Sequence, residues 1–208
     1  MSRPPSRTPR PVGPPPDAAS LRAAALAHVA RFASTERGLA QVLERRITRW
    51  GRRAADDGQD ISEVEAAVRD RLPLAATIAA EMVRLGAVDD AAFAKARTAR
   101  LARSGLSRRA VQARLATKGL APESIEQAVS TTLGDDEQAR ETELGAALVL
   151  ARKRRVGPFS SDAPRPENMA RIAGIFARAG FSHDTVRTAL SMDREEAEDR
   201  IIALKTAL

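Results

Sequence analysis

The sequence predicts an all-α fold made of three tandem three-helix repeats and an extra C-terminal helix. Apolar residues recur at spacings of three and four along most of the 208-residue chain, as expected for helices that bury one face. Asp, Ser or Thr precedes most of these segments and Gly follows them, and these residues cap helix ends. Because only 3% of the residues are aromatic and 43% are hydrophobic, small aliphatic side chains must fill the core, which suits closely packed helices.

The composition argues against most enzyme classes. The chain has no Cys and only two His, His28 and His183, which excludes thiolate nucleophiles and disfavours zinc sites. It also lacks a Gly-rich phosphate loop and a nucleophile elbow. We therefore expect no catalytic activity, no metal and no cofactor, and we interpret His28 as an ordinary packed or surface residue.

Charge and hydropathy limit the classes of possible partner. No segment approaches the roughly 18 uninterrupted apolar residues of a membrane span, and the N-terminus lacks the apolar core of a secretory signal. We expect a cytoplasmic monomer without membrane contact. The net charge of +7 favours a polyanionic partner, either nucleic acid or an acidic protein surface, and does not choose between them.

The first 16 residues form a leader that contains seven of the twelve prolines and three arginines. Such a segment buries too little apolar surface to offset the entropy of ordering, so we predict a disordered leader over residues 1–16. It is either a plain unstructured leader or an arm that touches polyanions.

The first repeat is predicted over residues 17–88. Its first helix is capped by Asp17 and runs to about Ala33, with one apolar face. That face is formed by Leu21, Ala25, Val29 and Phe32.

The second helix of this repeat is predicted to begin at Thr35, and its apolar face ends in Trp50, which we interpret as core. The other members of that face are Leu39, Leu43 and Ile47. The opposite side carries a basic cluster of Arg45, Arg46, Arg49, Arg52 and Arg53.

A third helix should follow and end near Gly86. Ser62 and Glu65 have the spacing of a capping box at its start, and Pro73 is expected to interrupt or kink it.

The second repeat is predicted over residues 89–134. Its first helix begins at Asp89 or Asp90 and stops at Gly105, and Ser107 then caps a second helix. Pro122 stands in the first turn of the third helix, where its missing N–H costs nothing.

The ionised residues between positions 91 and 122 are all basic. The run comprises Lys95, Arg97, Arg100, Arg103, Arg108, Arg109, Arg114 and Lys118. Arg108 and Arg109 follow a Gly-Leu-Ser turn, so they are either phosphate contacts at the start of a helix-turn-helix-like recognition helix or an ordinary solvated first turn.

The third repeat is predicted over residues 135–191, because 114–130 aligns with 175–191 without a gap at four identical positions. Its first helix begins near Asp136 and ends in Arg152, Lys153, Arg154 and Arg155, which are either a second binding cluster or cations that suit a helix C-terminus. A loop is expected over residues 160–166. A helix within residues 192–208 should cap the third repeat.

Two pairs of carboxylates resemble metal ligands. Asp89-Asp90 and Asp135-Asp136 both stand at predicted helix starts, so we interpret them as helix caps.

Four segments together resemble the RecX family of regulatory proteins. They are LGAVDDAAFAKAR, LARSGLSRRAVQARLATKGL, LARKRRVGPF and RAGFSHDTVRTAL, and the resemblance extends from about Leu21 to Leu190. The leader, the 160–166 loop and the acidic C-terminal helix depart from the family pattern.

The resemblance implies an elongated, curved array of three helical repeats that lies in the groove of the RecA filament on single-stranded DNA. Proteins of this family limit filament growth and reduce strand exchange, ATP hydrolysis and the SOS co-protease activity of RecA, and some touch DNA. The expected contacts are Arg97, Arg100, Arg103, Arg108, Arg109, Arg114 and Lys118, with Arg152, Lys153, Arg154 and Arg155 as a second anchor. The alternative is a helical protein that binds single- or double-stranded DNA directly.

Overall fold

The computed structural model describes residues 12–161 and 166–208, and every regular element in these residues is helical. The all-α prediction is therefore confirmed. The chain divides into two compact units, the first ending at Asp89 and the second beginning at Asp90. None of the described helices is long and apolar enough to cross a lipid bilayer.

The first unit contains three helices that share one buried cluster. They are α1 (Ala18–Val29), α2 (Glu36–Asp56) and α3 (Ile61–Arg84). Asp17 caps α1 as predicted, and Thr35, where the second helix was predicted to begin, caps α2; each side chain accepts a backbone N–H of the following turn. The cluster is built around Leu21, Leu39, Leu43, Ile47 and Ile78, all at most 1% exposed.

Two local predictions for this unit are corrected by the structure. Asp60, not a Ser62–Glu65 capping box, caps α3 by accepting the Glu63 N–H at 3.0 Å. The predicted interruption at Pro73 is wrong, since α3 continues through that residue, whereas a kink there stays a prediction. A proline inside a helix removes one backbone hydrogen bond, and the flanking turns of this 24-residue helix keep theirs.

The aromatic predictions for α1 and α2 are also corrected. Helix α1 ends at Val29, so Phe32 falls outside its apolar face and is 53% exposed. Trp50 is half-buried instead of core, and its indole N–H donates to Gly13 O at 2.9 Å. The predicted disordered leader lies outside the described residues up to residue 11, and near its end Val12 N–H donates to Asp57 at 3.1 Å.

The second unit contains seven α-helices and a short 3₁₀ helix in its described residues. They are α4 (Asp90–Arg103), α5 (Arg108–Ala116), α6 (Pro122–Leu133), α7 (Asp136–Arg154), the 3₁₀ helix (Gly157–Phe159), α8 (Pro166–Arg178), α9 (His183–Ser191) and α10 (Arg194–Ala207). One buried cluster joins α4, α5 and α6, and another joins α7 to α10. Most of the predicted 160–166 loop, residues 162–165, lies outside the described residues.

The two aligned segments have matching local structure. Gly119 and Gly180 both adopt positive φ, at 77° and 89°, and the next helices begin at Pro122 and His183, which are aligned positions. The division of this unit into repeats at 134/135 stays a prediction. Helix α10 packs on α7, where a Cβ on Gly145 would lie 3.1 Å from Leu204 Cβ.

Several elements of the second unit meet at the N-terminus of α5, which we call the Ser107 junction. The fully buried Ser107 accepts the Ala110 N–H at 3.1 Å through its hydroxyl and donates its own N–H to Ala179 O at 3.3 Å. Gly180 lies so close that any Cβ there would collide with the Ser107 hydroxyl. The turn before α9 is thus packed against the start of α5.

Helix α7 supplies the second cap of α5. Glu143 accepts the Arg108 N–H at 2.8 Å through a carboxylate oxygen. Burial raises the pKa of the Glu143 carboxyl, although the Arg108 N–H and the Arg108 charge both oppose that shift. The positive end of the α5 dipole favours a negative group at this position, but burial of the carboxyl prevails.

The Arg108 side chain holds the same junction from the other side. Its guanidinium donates to Gly134 O at 2.7 Å and to Asp135 at 3.3 Å, and Glu126 lies 3.6 Å away. Asp135 also accepts the Ser130 hydroxyl and makes no cap hydrogen bond to α7. The prediction that Asp135 caps a helix is therefore wrong, because Arg108 and Ser130 occupy its oxygens.

Replacing Arg108 with Ala should lower the free energy of unfolding by about 1–3 kcal/mol, because the buried Gly134 carbonyl loses a charged donor. Arg109→Ala is the matched control: Arg109 is exposed on the same turn, so its loss should change stability by less than about 0.5 kcal/mol. Chemical denaturation of both variants checks this. Equal stabilities would contradict the anchoring role of Arg108.

Replacing Glu143 with Gln should alter the pH dependence of stability. The pKa of Glu143 is raised in the folded protein. The contribution of this shift to the free energy of unfolding is therefore fully present below the unfolded pKa and is lost as the pH rises through the folded pKa. Gln keeps an acceptor for the Arg108 N–H but does not ionise. Denaturation from about pH 4 to about pH 7 should therefore show the wild type losing stability relative to E143Q. A difference that stays constant with pH would contradict the shift.

Candidate nucleic-acid and filament interface

The structure leaves most of the predicted basic contacts at the surface. Arg97 and Arg108 are half-buried. The exposed members are Arg100, Arg103, Arg109, Arg114, Lys118, Arg152, Lys153, Arg154 and Arg155. Apart from Arg108, no predicted arginine contact is ion-paired with an acid among the described residues. The charges of the exposed arginines are available to an external anion.

The two predicted clusters meet at one place. Lys153 at the end of α7 donates its ammonium N–H to Ser104 O, just beyond α4, at 2.8 Å. The turn after α4 lies directly on α7, since a Cβ on Gly105 would be 3.0 Å from Leu150 N. The C-terminal turns of α4 and α7 therefore lie side by side.

We call this feature the paired helix ends. It consists of Arg100 and Arg103 from α4 and Arg152, Lys153, Arg154 and Arg155 from α7. Cations suit helix C-termini, and each such placement contributes roughly 0.3–1 kcal/mol. Part of the charge therefore stabilises the two helices. Lys153 bridges them through Ser104 O, and the guanidinium groups of the other five residues are exposed.

Arg155 occupies a backbone conformation that glycine adopts after six of the other helices. Glycine provides the positive-φ residue just after α2, α3, α4, α5, α6 and α8, whereas α7 ends in Arg155 with φ 54° and ψ 50°. A left-handed conformation costs an L-residue roughly 1–2 kcal/mol, which glycine avoids. The long cation is thus kept at a position where local backbone energy favours glycine.

The basic residues of α5 form a separate group. Arg109, Arg114 and Lys118 are exposed on or just after that helix, whose start is bonded to Glu143. Glu143 precedes Arg152 by nine residues on α7, which is about 14 Å along a helix. The first half of α7 is acidic, with Asp136, Glu137 and Glu141, whereas residues 144–151, between Glu143 and the paired helix ends, carry no charge.

A further basic feature lies in the first unit, and sequence reasoning did not assign it to a site. A groove of about 320 Å³ between α1 and α2 is lined by ten residues, among them Phe32, Arg31, Arg45, Arg46 and Arg49. The α2 arginines were recognisable as a cluster. The aromatic component was missed because Phe32 was assigned to the buried face of α1.

The described residues offer no metal centre. No group of three or more His, Cys, Asp or Glu side chains in residues 12–161 and 166–208 is arranged to hold an ion. The Asp89–Asp90 pair stands at the start of α4, as predicted.

Comparison with known proteins places these features in a family. A family model described as RecX, second three-helix domain, matches residues 89–129. The regulatory protein RecX of Myxococcus xanthus is 35% identical over 164 residues, which is 78% of this chain and 79% of that protein. The RecX proteins of Agrobacterium fabrum (35% over 113 residues, 54% of this chain and 56% of that protein) and Streptomyces coelicolor (37% over 119 residues, 55% and 59%) are also similar.

No solved structure matches the chain. With more than a third of positions identical across most of the Myxococcus protein, the similarity extends far beyond one motif. The chain belongs to the RecX family.

Proposed function

We propose that the protein regulates RecA by binding the RecA filament on single-stranded DNA. Binding limits filament growth and thereby reduces strand exchange, ATP hydrolysis and the SOS co-protease activity in DNA repair. Family membership supports the regulatory role. The observation that carries the choice of surface is the convergence of α4 and α7, which gathers six cations at the paired helix ends.

The physical argument for this partner rests on charge. A filament on DNA presents phosphate together with protein surface, and exposed arginines gain from both. Each screened contact contributes up to about 1 kcal/mol, so useful affinity requires several of them at once. Binding of this kind weakens steeply as the salt concentration rises, because releasing counterions into a more concentrated solution is less favourable.

The structure also ranks the proposed contacts. Arg108 is engaged by Gly134, Asp135 and Glu126, so a partner would have to compete with three intramolecular acceptors. Arg109 and Arg114 are exposed on the same helix. We therefore assign the filament contacts of the α5 region to Arg109, Arg114 and Lys118. Half-buried Arg97 is a minor contact, and Arg108 anchors the helix.

A direct DNA-binding protein is the second candidate. The exposed guanidinium groups of the paired helix ends suit phosphate in naked DNA as well as in a filament. The two functions differ in preference: a filament regulator binds RecA-coated single strands more tightly than naked strands at about 150 mM salt. Equal or tighter binding to naked DNA would overturn the first proposal in favour of the second.

Reversing two charges at the paired helix ends should weaken filament binding. Arg103→Glu with Arg154→Glu is expected to reduce affinity for RecA-coated single strands by about tenfold or more, because two attractive contacts become repulsive. Arg171→Glu with Arg178→Glu is the matched control: both residues are exposed on α8, and Arg178 also lies in a last helical turn. Binding and RecA-dependent ATP hydrolysis are measured for both. Equal loss in the two variants would remove the paired helix ends from the interface.

Replacing Arg155 with Gly should separate stability from binding. Glycine adopts the left-handed conformation without the steric cost of a Cβ, so the free energy of unfolding should rise by about 0.5–1 kcal/mol. Filament affinity should fall because a positive charge is lost. Arg155→Lys keeps both the positive charge and the backbone cost, so it should resemble the wild type in both measurements. Unchanged affinity in R155G would show that Arg155 makes no contact.

A further inference from the structure

The α1–α2 groove combines an exposed aromatic ring with concentrated positive charge. Phe32 is 53% exposed, which is unusual because phenyl rings are usually buried. The His28 ring lies 5.2 Å from it, and the Arg31 guanidinium is 5.4 Å from its centroid. These three side chains line one end of the groove, and small Ala24 and Ala27 leave room beside them.

Arginines from α2 form the opposite wall. Arg45, Arg46 and Arg49 lie within one helical turn of each other and are all exposed. Residues four apart on a helix have Cβ atoms about 6 Å apart, so the three positive groups face one small region. Within the described part of the chain none of them forms an ion pair, and no Asp or Glu lines the groove.

This arrangement has an electrostatic cost in the free protein. Like charges on adjacent turns repel, and an exposed phenyl ring forgoes burial in the core. A ligand that carries several negative charges and a flat apolar face relieves both. Single-stranded nucleic acid has that chemistry, because its phosphates attract arginine and its unstacked bases stack on aromatic rings. A duplex keeps its bases stacked on one another, and an acidic peptide supplies charge without a nucleobase.

We propose that the α1–α2 groove binds single-stranded DNA, with one base stacked on Phe32 and neighbouring phosphates held by Arg45, Arg46 and Arg49. His28 and Arg31 position the Phe32 ring and add polar contact at the base edge or backbone. The site lies in the first unit, and it does not depend on the RecA proposal, whose contacts lie in the second unit.

The aromatic contact is tested with the full-length protein and a fluorescent oligothymidylate, without RecA. Phe32→Ala should reduce affinity about 5- to 100-fold, the loss expected for one stacked base. Phe32→Trp should restore binding. Leu26→Ala is the matched control, since Leu26 is 50% exposed on α1 and does not line the groove. Thermal unfolding confirms that each variant is folded.

The charge contact has its own matched pair. Arg45→Glu with Arg49→Glu should weaken oligothymidylate binding and reduce its salt dependence, whereas Arg52→Glu with Arg53→Glu, exposed on the same helix but outside the groove, should have a smaller effect. An abasic strand of equal length should bind wild type and F32A alike, because it lacks the stacking base.

Three outcomes would overturn the proposal. The first is equal affinity of F32A and wild type for oligothymidylate. The second is binding of duplex DNA that depends on Phe32 to the same degree. The third is competition by poly-glutamate as effective as by the oligonucleotide, which would make the groove a site for acidic protein. None of these outcomes bears on filament binding through the paired helix ends, which is measured with other variants.

Discussion

The hydrogen bonds at the start of α5 hold the second unit together. A nine-residue helix is too short to be stable alone, so its position depends on what its ends contact. Ser107 joins it to the turn before α9, Glu143 joins it to α7, and the Arg108 guanidinium joins it to the residues between α6 and α7. Elements far apart in sequence are thereby fixed around one helix end, and the exposed arginines of α5 acquire a defined direction.

The same junction divides the basic residues into two kinds. Adjacent arginines in sequence differ in their surroundings, since Arg108 is satisfied internally and Arg109 is exposed. On α7 the division follows the helix axis: carboxylates occupy the start and cations the end, as the helix dipole favours. Most of the predicted basic contacts stay exposed, and six of them are concentrated where α4 and α7 end together.

Sequence alone predicted the features that depend on neighbouring residues. The caps at Asp17, Thr35 and Ser107 and the glycine after α4 follow from interactions within one turn, and the apolar stripes follow from helical spacing. The failures involve distant partners. Asp135 was assigned to a helix cap but accepts hydrogen bonds from Ser130 and Arg108, and Trp50 bonds to Gly13. The approach of Lys153 to Ser104 spans 49 residues, and no local pattern encodes it.

The hydrogen bonds of Arg108, from its backbone and its side chain, have a consequence for local unfolding. The segment that the RecX family model matches ends at residue 129, whereas the acceptors at Gly134, Asp135 and Glu143 lie beyond it. An excised 89–129 fragment would retain its apolar stripes but expose the start of α5 to water. The hydrogen bonds that fix the start of α5 thus extend beyond the matched segment, and local opening of α7 would loosen α5 together with it.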